Sequence, residues 1–385
     1  MSANNIIPSI QIPVVRFAMP ITDLIMELQV LRYKVLGGST PAYIFYQIRD
    51  IFQMMESIGS SRIEGNNTTL MDYVESTKIS EQTISDAEKI EEIRNIEIAM
   101  KYIEENIDNM QITLQFIREL HMLAVKGLSP EFEGARHPGE FRQGNVRISG
   151  SSHTPVDFLQ VPSLMQELVE FVNESSSEKY DLLRIAIAHH RFVWIHPFEN
   201  GNGRVVRLFT YALLLKFVFK SKDRIINPTA VFCSDRKEYY KHLSLADNGS
   251  DEGMIAWAEY MLKGLKSEIE KLDKLLDYSY LHPVILSEAL KDAREREYIT
   301  KEEAAILELA LKKEERLIQS SDIAEVLPDK SKYDRSRVIR SLVDKKMLRP
   351  IKPGARKYFM YFSNNYLMRS ILAQLDKNGF LPESY

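Results

Sequence analysis

The 385-residue chain predicts a mainly α-helical fold with one short β-hairpin and a separate basic module at its C-terminal end. Three observations carry this. Apolar residues recur at spacings of three and four along much of the chain, two central stretches are apolar nearly all round, and only residues 139–155 alternate with a period of two. The length favours two or three domains over one core.

Residues before about Gly38 are punctuated by proline and read as a lead-in. Ser39-Thr40-Pro41 is a helix start, a hydroxyl cap followed by proline at the first helical position. Ile44, Ile48, Ile51 and Met55 then form an amphipathic stripe, expected to give way near Gly59 to the polar run SSRIEGNNTT. After a polar stretch from Ser76 to Lys89, a second helix carries Ile93, Ile96, Met100, Ile103 and Ile107 on one face. In FRQGNVRISGSS, Val146 and Ile148 alternate with polar residues ahead of a Gly-Ser turn, the pattern of a hairpin. Leu182 to Trp194 and Gly203 to Val218 are the two helices apolar all round, as in the centre of a bundle, and HPFENGNGR is the loop between them. From Lys301 onward the order is helix, short helix, longer basic helix, then a two-stranded wing turning at Pro353-Gly354, which is the order of a winged helix-turn-helix. The chain thus divides into an N-terminal helical segment (1–90), a helical core (91–265), a helical linker (266–300) and a winged-helix-like module (301–385).

An apolar content of 44% and a charged content of 27% are those of a soluble globular protein. The single cysteine, Cys233, excludes an intramolecular disulfide and a thiolate metal cluster, and suits a reducing compartment. MSANNIIPSI has no basic n-region, and the most apolar stretch, Tyr211 to Phe219, carries Lys216 and falls short of the roughly 20 residues a bilayer needs. A cytoplasmic protein without a membrane partner is expected. The net charge of −4 conceals an asymmetry: residues 328–357 hold eleven Lys and Arg against three Asp. A basic module on an acidic body implies its own partner, with DNA along residues 320–357 and a docking protein as the two alternatives.

The central loop carries the chemistry. Gly201 and Gly203 let backbone N–H groups approach an anion, and the helix that follows adds free donors and a positive dipole end. Arg204 and Arg207 lie three apart, on one face of its first turn. Two guanidinium forks there suit a polyphosphate. The loop is neither a Walker loop, lacking Gly-Lys-Ser/Thr, nor a dinucleotide fingerprint, since Val206 takes the third glycine position. A neutral His196 beside such a ligand could take a proton from an attacking hydroxyl. The competing structural readings are a plain helix cap and a core histidine satisfied by a carbonyl.

His196-Pro197-Phe198 followed by Gly201-Asn202-Gly203-Arg204 and Arg207 resembles the signature loop of the Fic (filamentation induced by cyclic AMP) family, at all but one of its defining positions. FRQGNVRISG resembles the family's flap, RKEYYKHLSLAD the helix after its core, and Ser60-Ser-Arg-Ile-Glu64-Gly65 its inhibitory motif; the likeness runs over about residues 36–265. The resemblance implies a Fic-type helical bundle with a β-hairpin flap, transferring AMP from ATP, with Mg²⁺, to a Ser, Thr or Tyr hydroxyl of a target protein. His196 would be the general base. Gly201, Asn202 and Gly203 would hold the α-phosphate, Arg204 the outer phosphates and Arg207 the γ-phosphate. Tyr239, Tyr240 and Asp247 would lie at the nucleoside end. The flap residues Val146, Ile148, Gly150 and Ser151 would pair with target backbone. Gly203 in place of lysine favours adenylyl over phosphoryl transfer. Glu64, with Ser60 and Gly65, would reach Arg207 and take the place of the γ-phosphate. Two positions depart: Asn200 stands where the family has Asp or Glu on Mg²⁺, so its amide oxygen would be a weak ligand, and Asp247 stands where the family's nucleotide pocket often has asparagine. The alternatives are removal of AMP from a modified target, with Glu64 aligning a water, and a DNA-binding regulator with a weakly active domain. A homodimer is also open.

Overall fold

The computed structural model describes residues 9–33, 39–76, 84–148, 150–151, 153–174, 177–219, 225–363 and 365–381. Ser149 and Ser152 of the expected hairpin, and most of the polar stretch after Ser76, lie outside them. The helices run, in order, α1 (Pro20–Tyr33), α2 (Ala42–Ile63), α3 (Leu70–Ser76), α4 (Ile84–Asn106), α5 (Leu114–Ala124), α6 (Val161–Asn173), α7 (Asp181–Ile195), α8 (Asn202–Leu213), α9 (Pro228–Ser234), α10 (Arg236–Ala246), α11 (Asp251–Asp273), α12 (Tyr278–Leu281), α13 (Ser287–Glu295), α14 (Lys301–Lys312) and α15 (Lys332–Asp344). Strands β1 (Leu348–Pro350) and β2 (Tyr358–Met360) and helix α16 (Tyr366–Lys377) close the chain. The protein is mainly helical, as expected. It forms two compact units that are not consecutive in sequence: Met1–Val35 with Gln53–Ile269, and Leu36–Phe52 with Glu270–Tyr385.

In the larger unit α7 and α8 form the centre, with nearly every residue of both buried. Helices α4 and α5 pack on α8, and α6 packs on α7. Entry to α5 is set by Thr113, whose hydroxyl accepts from the Phe116 N–H. This leaves the α7–α8 loop supported from both sides, a rigid place for a site.

Three expectations need correcting. The N-terminal lead-in contains α1. Its Pro20 stands at the first helical turn, where the missing N–H costs nothing, and Ile21, Leu28 and Leu31 are buried. The break expected at Gly59 is absent, since α2 continues to Ile63. Its small polar residues Ser57, Ser60 and Ser61 are buried rather than solvated, and the turn comes at Gly65 with φ +107°. The flap shows no strand ladder among the described residues. Its two arms are tied instead by the Arg142 guanidinium, which donates to the carbonyls of Gly144 (2.9 Å) and Val156, and by Asn145 Nδ2 donating to Asp157 (3.1 Å). A buried guanidinium at the root does the work of paired backbone.

In the second unit α13 packs on α14 and α16. Thr300 and Glu303 form a capping box that starts α14. β1 and β2 pair antiparallel with Arg349 opposite Phe359, and Gly354 (φ +77°) lies in the turn between them. Gln47 of α2 secures the end of β2, donating to the Met360 carbonyl (3.2 Å) and accepting from the Phe362 N–H (2.8 Å).

Candidate active site

The loop begins where α7 ends. His196 caps α7 in the left-handed conformation (φ 55°), donating its N–H to the Phe192 carbonyl at 3.0 Å. A non-glycine residue in that region is strained, and such strain is retained where it aims a side chain. Burial of the imidazole, only partly offset by the Val193 carbonyl, pulls its pKa down to about 4. The ring is therefore neutral at pH 7 and able to accept a proton.

The loop is closed from within. Asn202 accepts from the Phe198 N–H and donates to the Phe198 carbonyl, both at 2.9 Å. Phe198 is fully buried and stacks on His121 of α5, ring centroids 3.9 Å apart. His121 accepts from the Gly139 N–H through Nδ1 (2.8 Å), which leaves the proton on Nε2 to reach the Asn200 carbonyl at 3.2 Å. Burial lowers its pKa to about 4, so this neutral tautomer persists. Arg142 joins the flap to the loop, donating from Nε to the His196 carbonyl and from its backbone N–H to the Pro197 carbonyl, both at 2.9 Å.

Gly201, at φ +75°, precedes α8, whose first turn exposes free N–H groups. A carboxylate sits on this turn. A Cβ placed on Gly203 would overlap Glu64, coming within 2.9 Å of its Cδ. Only glycine admits an anion so close to the helix end. Glu64 Oε1 accepts from Arg207 Nη2 at 2.7 Å. Ser60 holds the same guanidinium through its hydroxyl (2.9 Å) and its carbonyl (2.8 Å). Arg207 is 2% exposed, while the Glu64 side chain is 26% exposed. Burial pushes the Glu64 carboxyl up, but Arg207, Arg204 and Arg236 together outweigh it and hold it below its usual 4.5.

Arg204 is fully buried and also lies against carboxylates. Its Nη2 donates to the Glu133 carbonyl (2.6 Å) and carboxylate (2.9 Å), and Nη1 lies 3.4 Å from Glu92. Burial raises the Glu92 carboxyl to about 7 despite that arginine.

His196, Asn200 to Arg204, Arg207, Ser60 and Glu64 thus converge on the start of α8. The flap residues Val146 and Ile148 are half-buried, whereas Gly150 and Ser151 are exposed. Tyr239 is a core residue: its hydroxyl donates to His189 Nε2 (2.9 Å), His189 Nδ1 donates to Thr210 (2.7 Å), and Thr210 donates to the Val206 carbonyl (2.8 Å). Tyr240 is 45% exposed, with Arg236 over its ring. Asp247 instead meets His190 at 3.1 Å and lines a pocket with Ile10, Pro13 and Trp194 that includes none of the α8 residues. Asn200 Oδ1 accepts from the Gly201 N–H, and no group of three or more His, Cys, Asp or Glu among the described residues is arranged around a metal. His121, Arg142, Glu92 and Glu133 escaped the sequence reading, because each acts through tertiary contacts that leave no local pattern.

Residues 111–214 match the model of the Fic/DOC family. Over 193 residues the chain is 34% identical to proteins named protein adenylyltransferase Fic from Drosophila ananassae and Drosophila virilis. That stretch is 49% of this chain but only 35% and 36% of those relatives, so the chain matches about a third of their length. A solved Fic family protein from Desulfovibrio desulfuricans G20 is similar in shape over 91% of this chain and 98% of its own, with a TM-score of 0.56 at 21% identity. A solved portion of Fic-1 from C. elegans is similar over 65% of this chain and 71% of its own, with a TM-score of 0.51 at 19% identity. No helix of the described residues is long and apolar enough to cross a membrane. Over residues 111–214 the chain is thus similar to the Fic/DOC family, and the solved Fic proteins share its fold.

Proposed function

We propose that this protein is an autoinhibited adenylyltransferase that moves AMP from ATP onto a hydroxyl of a target protein. The observation that carries the reading is the Glu64 carboxylate, seated on the α8 N-terminus and bound to Arg207. A site that accommodates a carboxylate between free N–H groups and a guanidinium is built for an anion, and a phosphate of ATP is the ligand the relatives' name implies. The target hydroxyl attacks the α-phosphorus, a new O–P bond forms, the bond to pyrophosphate breaks, and His196 takes the hydroxyl proton. The α8 N-terminus steadies the charge that develops on the α-phosphate. In the resting chain Glu64 occupies the phosphate position on Arg207, so ATP is admitted only when it leaves. Mg²⁺ would be held by the ATP phosphates with the Asn200 amide oxygen as a weak protein ligand, and would neutralise charge on the outer phosphates. The flap, which forms no strand ladder among the described residues, offers backbone to a target strand. The test is label position: with purified Glu64→Gly protein and a target extract, label from α-labelled ATP should become protein-bound and label from γ-labelled ATP should not. Protein-bound γ-label without α-label would make the reaction phosphoryl transfer and refute the proposal.

One further observation favours a second role. In the smaller unit α15 turns Arg337 and Arg340 outward, and Arg349, Lys352 and Arg356 are exposed on and after β1. We read α14 through β2 as a winged helix with duplex DNA as its partner. Binding that weakens steeply with salt in a mobility-shift assay supports this. No shift at low salt assigns the face to a protein.

A further inference from the structure

We infer that Asn200 is a loop clamp and that Glu133 is a second carboxylate latch, closing Arg204 as Glu64 closes Arg207. The inference rests on the nucleotide reading of the site and extends it to a residue pair outside the inhibitory motif. Asn200 Nδ2 faces two carbonyls, Gly134 at 3.2 Å and Phe132 at 3.4 Å, which flank Glu133 in the chain. Aspartate, with no N–H, could make neither contact and would repel both oxygens. The amide therefore gives a reason for asparagine at this position that a metal ligand does not.

The clamped turn is tight. Phe132 and Gly134 both donate to the Ser129 carbonyl, at 3.0 and 2.8 Å, and a Cβ on Gly134 would collide with the backbone of Leu128 and Ser129. Glu133 is thereby delivered onto Arg204, where its carbonyl and its carboxylate share Nη2. Arg204 has no exposed surface, and its Nε and Nη1 lie buried without a hydrogen bond. Unmade buried donors are costly, so the guanidinium is under-satisfied and suited to a richer acceptor such as a polyphosphate. Glu133 is the movable partner, its side chain 26% exposed and its carboxyl raised by burial against the pull of Arg204. Glu92, behind, is fixed by Asn66 at 2.8 Å and stays. A polyphosphate on Arg204 must displace the Glu133 carboxylate.

Two measurements test this. Hydrogen exchange on the full chain with Asn200→Asp should speed the amides of Phe132 and Gly134 relative to wild type; unchanged exchange overturns the clamp. Calorimetry in the Glu64→Gly background, in EDTA so that no metal effect enters, compares Glu133→Gln and Glu133→Ala for ATP and AMP. Loss of one charge-assisted contact should tighten ATP by about tenfold while leaving AMP, which lacks the outer phosphates, unchanged. Equal or weaker ATP binding in both variants overturns the latch, and an equal gain for AMP shows a general loosening and overturns it too. If Glu64→Gly itself binds no ATP, the nucleotide reading and the latch fall together, and the exchange result alone decides the clamp.

Discussion

Replacing Glu64 by Gln should convert the resting site into one that binds ATP. Arg207 Nη2 meets Glu64 Oε1 at 2.7 Å in a site where the guanidinium is almost wholly buried. A charge-assisted hydrogen bond of this kind contributes about 1.5–3 kcal/mol, or roughly 10- to 100-fold in the fraction of open sites. Because apparent affinity scales with that fraction, the ATP Kd should fall by the same factor. The pocket should survive, since Ser60 still anchors Arg207 through its hydroxyl and carbonyl. The sign of the pH dependence follows from the depressed Glu64 pKa. The ion pair is intact above the ordinary value of 4.5 and is lost only as pH falls through the lower folded value. Wild-type affinity should therefore be flat from about pH 6 to 8. Calorimetry with wild type, Glu64→Gln and Glu64→Gly makes the comparison. An ATP Kd unchanged in both variants would refute the reasoning that this carboxylate stands in a phosphate position.

Other outcomes follow from the same geometry. His196→Ala should keep ATP binding in the Glu64→Gly background yet abolish transfer, and transfer with His196 present should decline only as pH approaches about 4, where the imidazole is protonated. Buried His121 and His196 are both held near 4 against an ordinary 6.5, so their share of stability is complete above 6.5 and is lost as pH falls toward 4; Tm measured across that window should drop. Gly203→Ala would put a Cβ into the Glu64 carboxylate and should expel it, read as faster exchange of the amides after Ser60. His121→Leu removes the contact to the Asn200 carbonyl and should lower the transfer rate by up to about a hundredfold with little change in ATP affinity, because the loop is displaced rather than the phosphate arginines.

Much of this was legible in the sequence. The all-round apolar runs locate α7 and α8, and the glycines and arginines between them mark an anion site. Helix spacing cannot show that Glu64 meets Arg207, because the two are brought together by tertiary packing; that contact was expected only from the resemblance. Proline misled at α1, where Pro20 starts a helix instead of preventing one. Serines misled in α2, where they are buried against an arginine rather than exposed. Asn200 shows the deeper limit. Its sequence position draws attention to its oxygen, whereas its nitrogen holds the Phe132–Gly134 turn, and no pattern in those residues announces that Glu133 lies on Arg204.

The most direct test of the central claim is label transfer from α-labelled ATP by wild type, Glu64→Gly, and Glu64→Gly with His196→Ala, each incubated with the same target extract. The account predicts faint labelling by wild type, strong labelling once Glu64 is removed, and none when His196 is also lost. Equal labelling by wild type and Glu64→Gly, or labelling that persists without His196, would contradict it.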